Sequence, residues 1–262
     1  MKHIYHVVRE YFRIGLLGEM EYRVNFFIQI FESLIVLTVS LGSLAIVFRH
    51  TETLGDWLPE QMIVLVGIYT LIGGLINFMI SPSMERLMQD VRHGTLDFAL
   101  TKPADAQLLV SVSRFEIWKL IDLFLGISIV LIGLVRLRSE VSLADTAVFL
   151  FALSCGAIII YSFWMILATL SFWFIKVENM LTIFQSTYSA ARWPITIYPF
   201  WLRFGLTFII PIAFAVTVPV EGLIGRLDET LMLTMILLTV GLGVLSRWFW
   251  KYGLAHYSGA SA

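Results

Sequence analysis

Long apolar runs separated by short polar stretches set the frame for this chain. A helix crossing the bilayer core needs about 20 mostly apolar residues. Val24–Phe48 meets that length, with Glu32 inside it. Met62–Ile80 follows without a charge, then Ile117–Val135 with Lys119 and Asp122 near its start. Thr146–Ile175 is a long uncharged stretch, and Thr230–Ser246 is the last clean one. Between these two the pattern is ambiguous. Phe204–Val220 is apolar but interrupted by Pro211 and Pro219, and Met180–Ala191 is apolar but short. The first 23 residues do not span. Ile4, Val7, Val8, Tyr11, Phe12 and Leu16 recur at helical spacing, with Lys2, His6, Arg9, Glu10 and Arg13 between them. That pattern predicts an amphipathic helix lying at the membrane interface. It lacks the compact apolar core and cleavage site of a signal peptide, so the first apolar run is expected to remain as a span.

The predicted fold is all-α and polytopic: six transmembrane helices in one domain over residues 1–262. Orientation follows from Lys and Arg, which favour the cytoplasmic side of short loops. Placing the N-terminus inside puts Lys2, Arg9, Arg13, Arg23, Arg86, Arg92, Lys102, Arg114, Lys119, Lys176, Arg247 and Lys251 there, against Arg49, Arg136, Arg138, Arg192, Arg203 and Arg226 outside. Both termini are then cytoplasmic and the number of crossings is even. Two readings of residues 176–228 satisfy that. In one, Phe204–Val220 is the fifth span; charge counting favours it, because Arg192 and Arg203 move inside. In the other, Met180–Ile197 crosses and the Pro-rich stretch after it dips into the outer leaflet and returns. The crowding of Pro194, Pro199, Pro211 and Pro219 favours the second.

Composition agrees with a membrane protein: 58% of the 262 residues are hydrophobic and 14% are charged, well below the charged fraction of soluble domains. The net charge of −1 argues against nucleic acid as a partner. Cys155 is the single cysteine, and it reads as a small apolar packing residue. No phosphate-binding G-x-x-x-x-G-K-[ST], H-E-x-x-H or G-x-S-x-G motif occurs, and the five histidines are scattered. No catalytic residue, no metal site and no cofactor of the chain's own is expected.

Ionisable residues inside spans tend to be paired or functional. Glu32 is expected to pair with a basic residue, and Lys119 with Asp122 three positions on. The pairs Thr70/Gly74 and Ala152/Gly156 have the four-residue spacing that lets helices approach. Gln185-Ser186-Thr187-Tyr188-Ser189 is a polar run in an apolar stretch, expected to face a pathway or a neighbouring helix. Trp57, Trp118, Trp173, Trp193, Trp201, Trp248 and Trp250 fall near predicted span ends, as an interfacial belt would. The longest polar stretch, Ser81–Glu116, is too short for a catalytic domain and suits two or three short helices below the membrane. Pro103 is placed to start one running through Leu109.

Two stretches carry a resemblance. His93-Gly94-Thr95-Leu96-Asp97-Phe98-Ala99-Leu100-Thr101-Lys102-Pro103 resembles the G-T-L-(acidic)-x-x-L-x-x-P signature of ABC-2 type exporter permeases, and lies between spans two and three as in that family. Ala191–Arg203 with Ile210-Pro211 resembles the family's F-P … P-x-W-L … P pattern after the fifth span. The segment Phe184–Pro199 places the chain near a six-span branch. The resemblance implies an ATP-driven export permease whose ATP and Mg are bound by a separate ATP-binding subunit, present in two copies. It implies coupling to that subunit through the amphipathic helix (residues 1–23) and residues 81–116, with Glu85, Arg86, Gly94, Thr95, Leu96, Asp97, Lys102 and Pro103 at matching positions. It also implies pairing with a second permease chain, identical or related, in the lipid of the cytoplasmic membrane. Asn77, Gln185, Ser186, Tyr188 and Ser189 would line the path. Residues 198–222, with Pro199, Trp201, Pro211 and Pro219, would form the re-entrant hairpin, which favours the second reading of the fifth span. The cargo is expected to be hydrophobic or amphipathic. A non-transporting membrane scaffold is the main alternative. An ion-coupled carrier is weaker, because neither an internal repeat nor deep paired acids are apparent.

Overall fold

The computed structural model describes residues 2–20, 23–137, 142–174 and 178–257. Among them lie twelve α-helices: α1 (Lys2–Met20), α2 (Arg23–Val47), α3 (Pro59–Leu75), α4 (Ser81–His93), α5 (Asp97–Leu100), α6 (Ala106–Ser111), α7 (Leu120–Leu137), α8 (Leu143–Thr169), α9 (Glu178–Tyr188), α10 (Phe200–Phe204), α11 (Ile212–Leu223) and α12 (Glu229–His256). Five helical units are long and apolar enough to cross a membrane: α2, the continuous rod Pro59–His93, Ile117–Leu137, Leu143–Phe172 and α12. The protein is therefore an all-α, multi-pass membrane protein.

The rod Pro59–His93 organises the rest. Pro59 supplies its first turn, where a missing N–H costs nothing, and a π-helical turn over Ile76–Ile80 joins α3 to α4. At 1.5 Å per residue its 35 residues reach roughly 50 Å, about 20 Å beyond a hydrocarbon core. One end therefore stands clear of the membrane. We call that the near end; it also carries α1 and the C-terminus of α12.

Antiparallel packing of α3 against α7 is set by glycine. A Cβ on Gly126 would fall 2.6 Å from the Leu71 N and 2.7 Å from its Cα; on Gly67, 2.8 Å from Val130 N; on Gly133, 2.6 Å from Val64 Cγ2; on Gly74, 3.0 Å from Leu123 N. Each helix carries its two contact glycines seven residues apart, so one face of each approaches backbone to backbone. Sequence spacing singled out Gly74, but Gly67, Gly126 and Gly133 carry the closest contacts on this face.

Two readings of the fifth span were open. Phe200–Ile209 and Ile212–Leu223 are bent by 99°, so this apolar stretch is not one straight helix but a broken span or a re-entrant loop. Its two ends return to the same loop. Trp57 Nε1 donates to Thr196 Oγ1 at 3.0 Å before the hairpin, and Arg226 Nη1 donates to the Asp56 carbonyl at 2.7 Å after it. At its tip, Gly156 of α8 lies against the Phe214 carbonyl and Ala215 Cα, where a Cβ would stand 2.7 and 2.8 Å away. The ascent to the far end is made by α9 and the 3₁₀ turns after it. Leu181 and Thr182 share a pocket with Glu85 and Gln89. Higher up, Gln185 Nε2 reaches Ser81 Oγ at 3.3 Å, Tyr188 Oη donates to the Tyr69 carbonyl at 2.8 Å, and Thr196 meets Trp57. Residues 178–197 thus climb the same height that α3–α4 descends.

Several expectations change in detail. The hairpin is broken at Pro211, the N-cap of α11, while Pro219 is accommodated inside α11. Arg192 does not reach outward; its guanidinium lies 5.7 Å from the Tyr69 ring centroid. Trp57 and Trp250 are buried at 2% and 1% exposure, so they are packing residues rather than members of a belt. Helix α6 starts at Ala106, not at Pro103, because Asp105 caps it: Leu108 N donates to Asp105 Oδ1 at 3.2 Å.

Candidate functional site

Two regions gather the polar chemistry. The first is the near-end platform. Helix α4 ends at Gly94 in the left-handed conformation (φ 68°, ψ 17°), which an L side chain adopts only with strain. The turn is closed by Thr95 N and Leu96 N donating to the Asp90 carbonyl, and Thr95 Oγ1 donates to Asp90 Oδ1 at 2.7 Å. Leu96 is fully buried, whereas Phe98 on α5 is 74% exposed. Lys102 Nζ donates to Tyr11 Oη at 2.8 Å, tying α1 to this loop. Phe12 packs edge-on to Phe115 at 5.8 Å, and the Gly15 position lies against the Phe115 carbonyl. The platform therefore joins α1, the α4–α5 turn and the loop before α7.

A second clamp reaches it from α12. Arg247 Nη1 donates to Asp105 Oδ1 at 2.9 Å and to Gln107 Oε1 at 2.8 Å, and Nη2 donates to Asp105 Oδ2. The guanidinium holds the Asp105 carboxyl below its usual range, against a smaller opposing effect of burial. Sequence spacing gave no hint of this pair, which is 142 residues apart. A lowered carboxyl pKa stabilises the fold above the unfolded value near 4, and the gain is lost as pH falls through the folded one. Asp105→Asn keeps the helix cap but removes the charge. Because both side chains are a third or more exposed, the expected loss is only about 1 kcal/mol at pH 7. Thermal midpoints of the two proteins should converge as pH falls below about 4.

The predicted platform residues divide into two groups. Gly94, Thr95, Leu96, Asp97, Lys102 and Pro103 cluster at the tip. Glu85 and Arg86 lie on the shaft: Glu85 Oε1 accepts from Ser81 Oγ at 2.9 Å, and Arg86 Nε lies 3.6 Å from Asp90 Oδ2. Phe98, the most exposed apolar ring of the tip, lies within the recognised stretch but was passed over for its polar neighbours.

The second region is a cleft of about 280 Å³ bounded by α2, α3, the π-helical turn, α7 and α9. Of the predicted path residues, Asn77, Gln185 and Tyr188 line it. Tyr188 stacks on Tyr69 with ring centroids 4.9 Å apart. Ser186 and Ser189 do not line it. They are exposed and donate to carbonyls of their own helix, Thr182 and Ser186. With Thr182 they form a polar stripe on the outer face of α9, which lipid would not solvate. Ser81 links the two regions: its hydroxyl donates to Glu85 and accepts from Gln185. The helix that ends in the platform thus also touches the cleft.

Residues 34–261 match the model of the ABC-2 family transporter proteins. The chain belongs to this family. It is accordingly a transmembrane permease subunit of an ABC transporter, a type of subunit that associates with an ABC ATP-binding subunit. No curated protein and no solved structure matches it.

Proposed function

We propose that this ABC-2 permease exports a hydrophobic or amphipathic molecule across the cytoplasmic membrane, driven by ATP that a separate subunit hydrolyses. The near end is cytoplasmic, and both termini lie there. Two ATP-binding subunits, which hold the ATP and Mg, dock on the platforms of two permease chains, identical or related. The path runs between those chains. The observation that carries this reading is the continuous rod Pro59–His93, which holds the platform turn at one end and cleft residues along its length. A push on Gly94–Pro103 is transmitted through Ser81 to Gln185 without a flexible joint. The polar stripe of α9 supports a second chain, because it needs a partner other than lipid. The hairpin of α10 and α11, with Pro199 and Trp201 at its entrance, dips into the outer leaflet beside the exit.

ATP drives such a switch only through a difference in affinity between two packings of the helices. The test is purification of the chain from its native membrane in mild detergent with ATP present. A soluble protein with a phosphate-binding loop, recovered in equal amount, is the expected result. Recovery of the chain alone from several detergents would overturn the reading in favour of a scaffold.

A further inference from the structure

Glu32 projects into the cleft without a counter-ion. Among the described residues no cation lies within ion-pair distance of it, contrary to the pairing expected from sequence. The cation that lines the same cleft is engaged elsewhere: Lys119 Nζ lies 3.9 Å from Asp122 Oδ2 and donates to Gln29 Oε1 at 3.3 Å. The cleft thus holds two carboxylates and one ammonium, and it carries a net negative charge. Its depth is defined by sequence: Glu32 lies six residues inside the span that begins at Phe26, and Asp122 five residues inside the one that begins at Ile117. That is roughly 8–9 Å along each helix, just inside the near leaflet. Charge at that depth is costly unless it is compensated, and uncompensated groups there are functional by default. The remaining walls mix small polar groups (Ser33, Ser40, Thr70, Asn77), aliphatic side chains and the rings of Tyr69, Tyr188 and Phe184.

We infer that the cleft binds the cationic head of an amphipathic molecule, an organic ammonium whose apolar tail lies in the near leaflet. Glu32 supplies the counter-charge. Lys119 keeps Asp122 neutralised, so one positive charge completes the site and two would not. A volume of about 280 Å³ lies at the lower end of small-ligand pockets and suits a head group rather than a whole cargo. This inference deepens the export reading by naming the class of cargo.

The test uses the full chain purified in dodecyl maltoside, which carries no charge. Decyltrimethylammonium and decyl sulfate share a tail and differ in the sign of the head; their binding is measured by equilibrium dialysis against empty micelles. Glu32→Gln is expected to weaken the cation at least about tenfold and to leave the anion unchanged or tighter. Glu32→Asp, which keeps the charge, should stay within about threefold of the original protein. The inference is wrong if Glu32→Gln leaves cation binding within twofold, or if Glu32→Asp loses as much as Glu32→Gln. Adding phosphatidylcholine or phosphatidylglycerol then identifies the source. Competition by the choline lipid alone points to a lipid head group, and no competition points to a free amphiphile; both keep the ammonium site. Binding needs neither ATP nor a partner. Loss of the ATP-binding subunit with cation preference intact would sink only the export reading, and the reverse only this one.

Discussion

Gly126→Leu is expected to stop the protein from accumulating as a folded species. The Cβ alone would stand 2.6–2.7 Å from the backbone and Cβ of Leu71, closer than real Cβ contacts come. Backbone atoms cannot swing aside as a long side chain can, so α7 must withdraw from α3. The withdrawal is shared along the whole seam, because Gly67, Gly74 and Gly133 hold the same face at the same spacing. Overpacking a close contact typically costs 1–3 kcal/mol, and a branched side chain wedged between two backbones exceeds that. Such a loss is a large part of a total stability of about 5–15 kcal/mol. Gly126→Ala should already lower the thermal midpoint measurably. The contrast lies on α12, where a Cβ at Gly241 or Gly243 meets nothing within 4 Å. Alanine there should be neutral or mildly stabilising, since it removes the helix cost of glycine. Size-exclusion profiles and melting curves of the four variants in detergent decide the matter. Equal behaviour of Gly126→Ala and Gly241→Ala would refute the glycine seam.

Much of this architecture was legible in the sequence because membrane spans are written in one dimension. Length and apolar content locate α2, α7, α8 and α12 without any knowledge of neighbours. The amphipathic period of residues 4–16 found α1 in the same way. The platform turn was legible for a different reason. Gly94 carries a positive φ that few residues tolerate, so the local chemistry names its own conformation. What sequence could not supply was the third dimension of each helix. Glycines seven apart on α3 and α7 look like background in apolar helices until the partner is placed. Arg247 and Asp105 are 142 residues apart, and no local pattern joins them. The polar run from Gln185 to Ser189 was singled out, but a helix divides such a run between faces. Gln185 and Tyr188 turn into the cleft while Ser186 and Ser189 turn away from it. Lys119 and Asp122, three apart, were readable as a pair, but that no cation among the described residues pairs with Glu32 was not.

The fifth span shows how two signals of different kind compete. Counting Arg192 and Arg203 favoured Phe204–Val220 as the crossing, while proline chemistry opposed it. Proline acts on every turn it interrupts, and the observed bend follows it. Arg192 lies over the ring of Tyr69, its guanidinium 5.7 Å from the centroid, while its Nε is buried without a hydrogen-bond partner, an arrangement that charge counting has no means to foresee. The break falls between Ile209 and Ile212, where Pro211 withholds an N–H and the backbone turns. Both ends of the bent pair are tied to the Asp56–Trp57 loop.

The platform carries the second large prediction. Phe98 presents a 74% exposed ring at the tip of the turn, beside a fully buried Leu96. Burying such a ring against a partner stabilises a complex by about 1.5–3 kcal/mol, which is about tenfold to hundredfold in affinity. Phe98→Asp should weaken binding of the ATP-binding subunit by at least that much and abolish coupled transport. Because the ring contributes little to the fold, the thermal midpoint of the permease alone should not move. Gly94→Val gives the complementary result. It forces a β-branched residue to a φ of 68°, at a cost of about 1–2 kcal/mol, and displaces the turn that positions Phe98. That variant should lower both the midpoint and the coupling. Binding of the purified ATP-binding subunit to membranes carrying each variant separates the two effects. If Phe98→Asp bound and transported normally, docking would have to be assigned to another surface, such as the exposed face of α1. If it failed only together with the fold, the ring would be structural and the platform would lose its main apolar anchor.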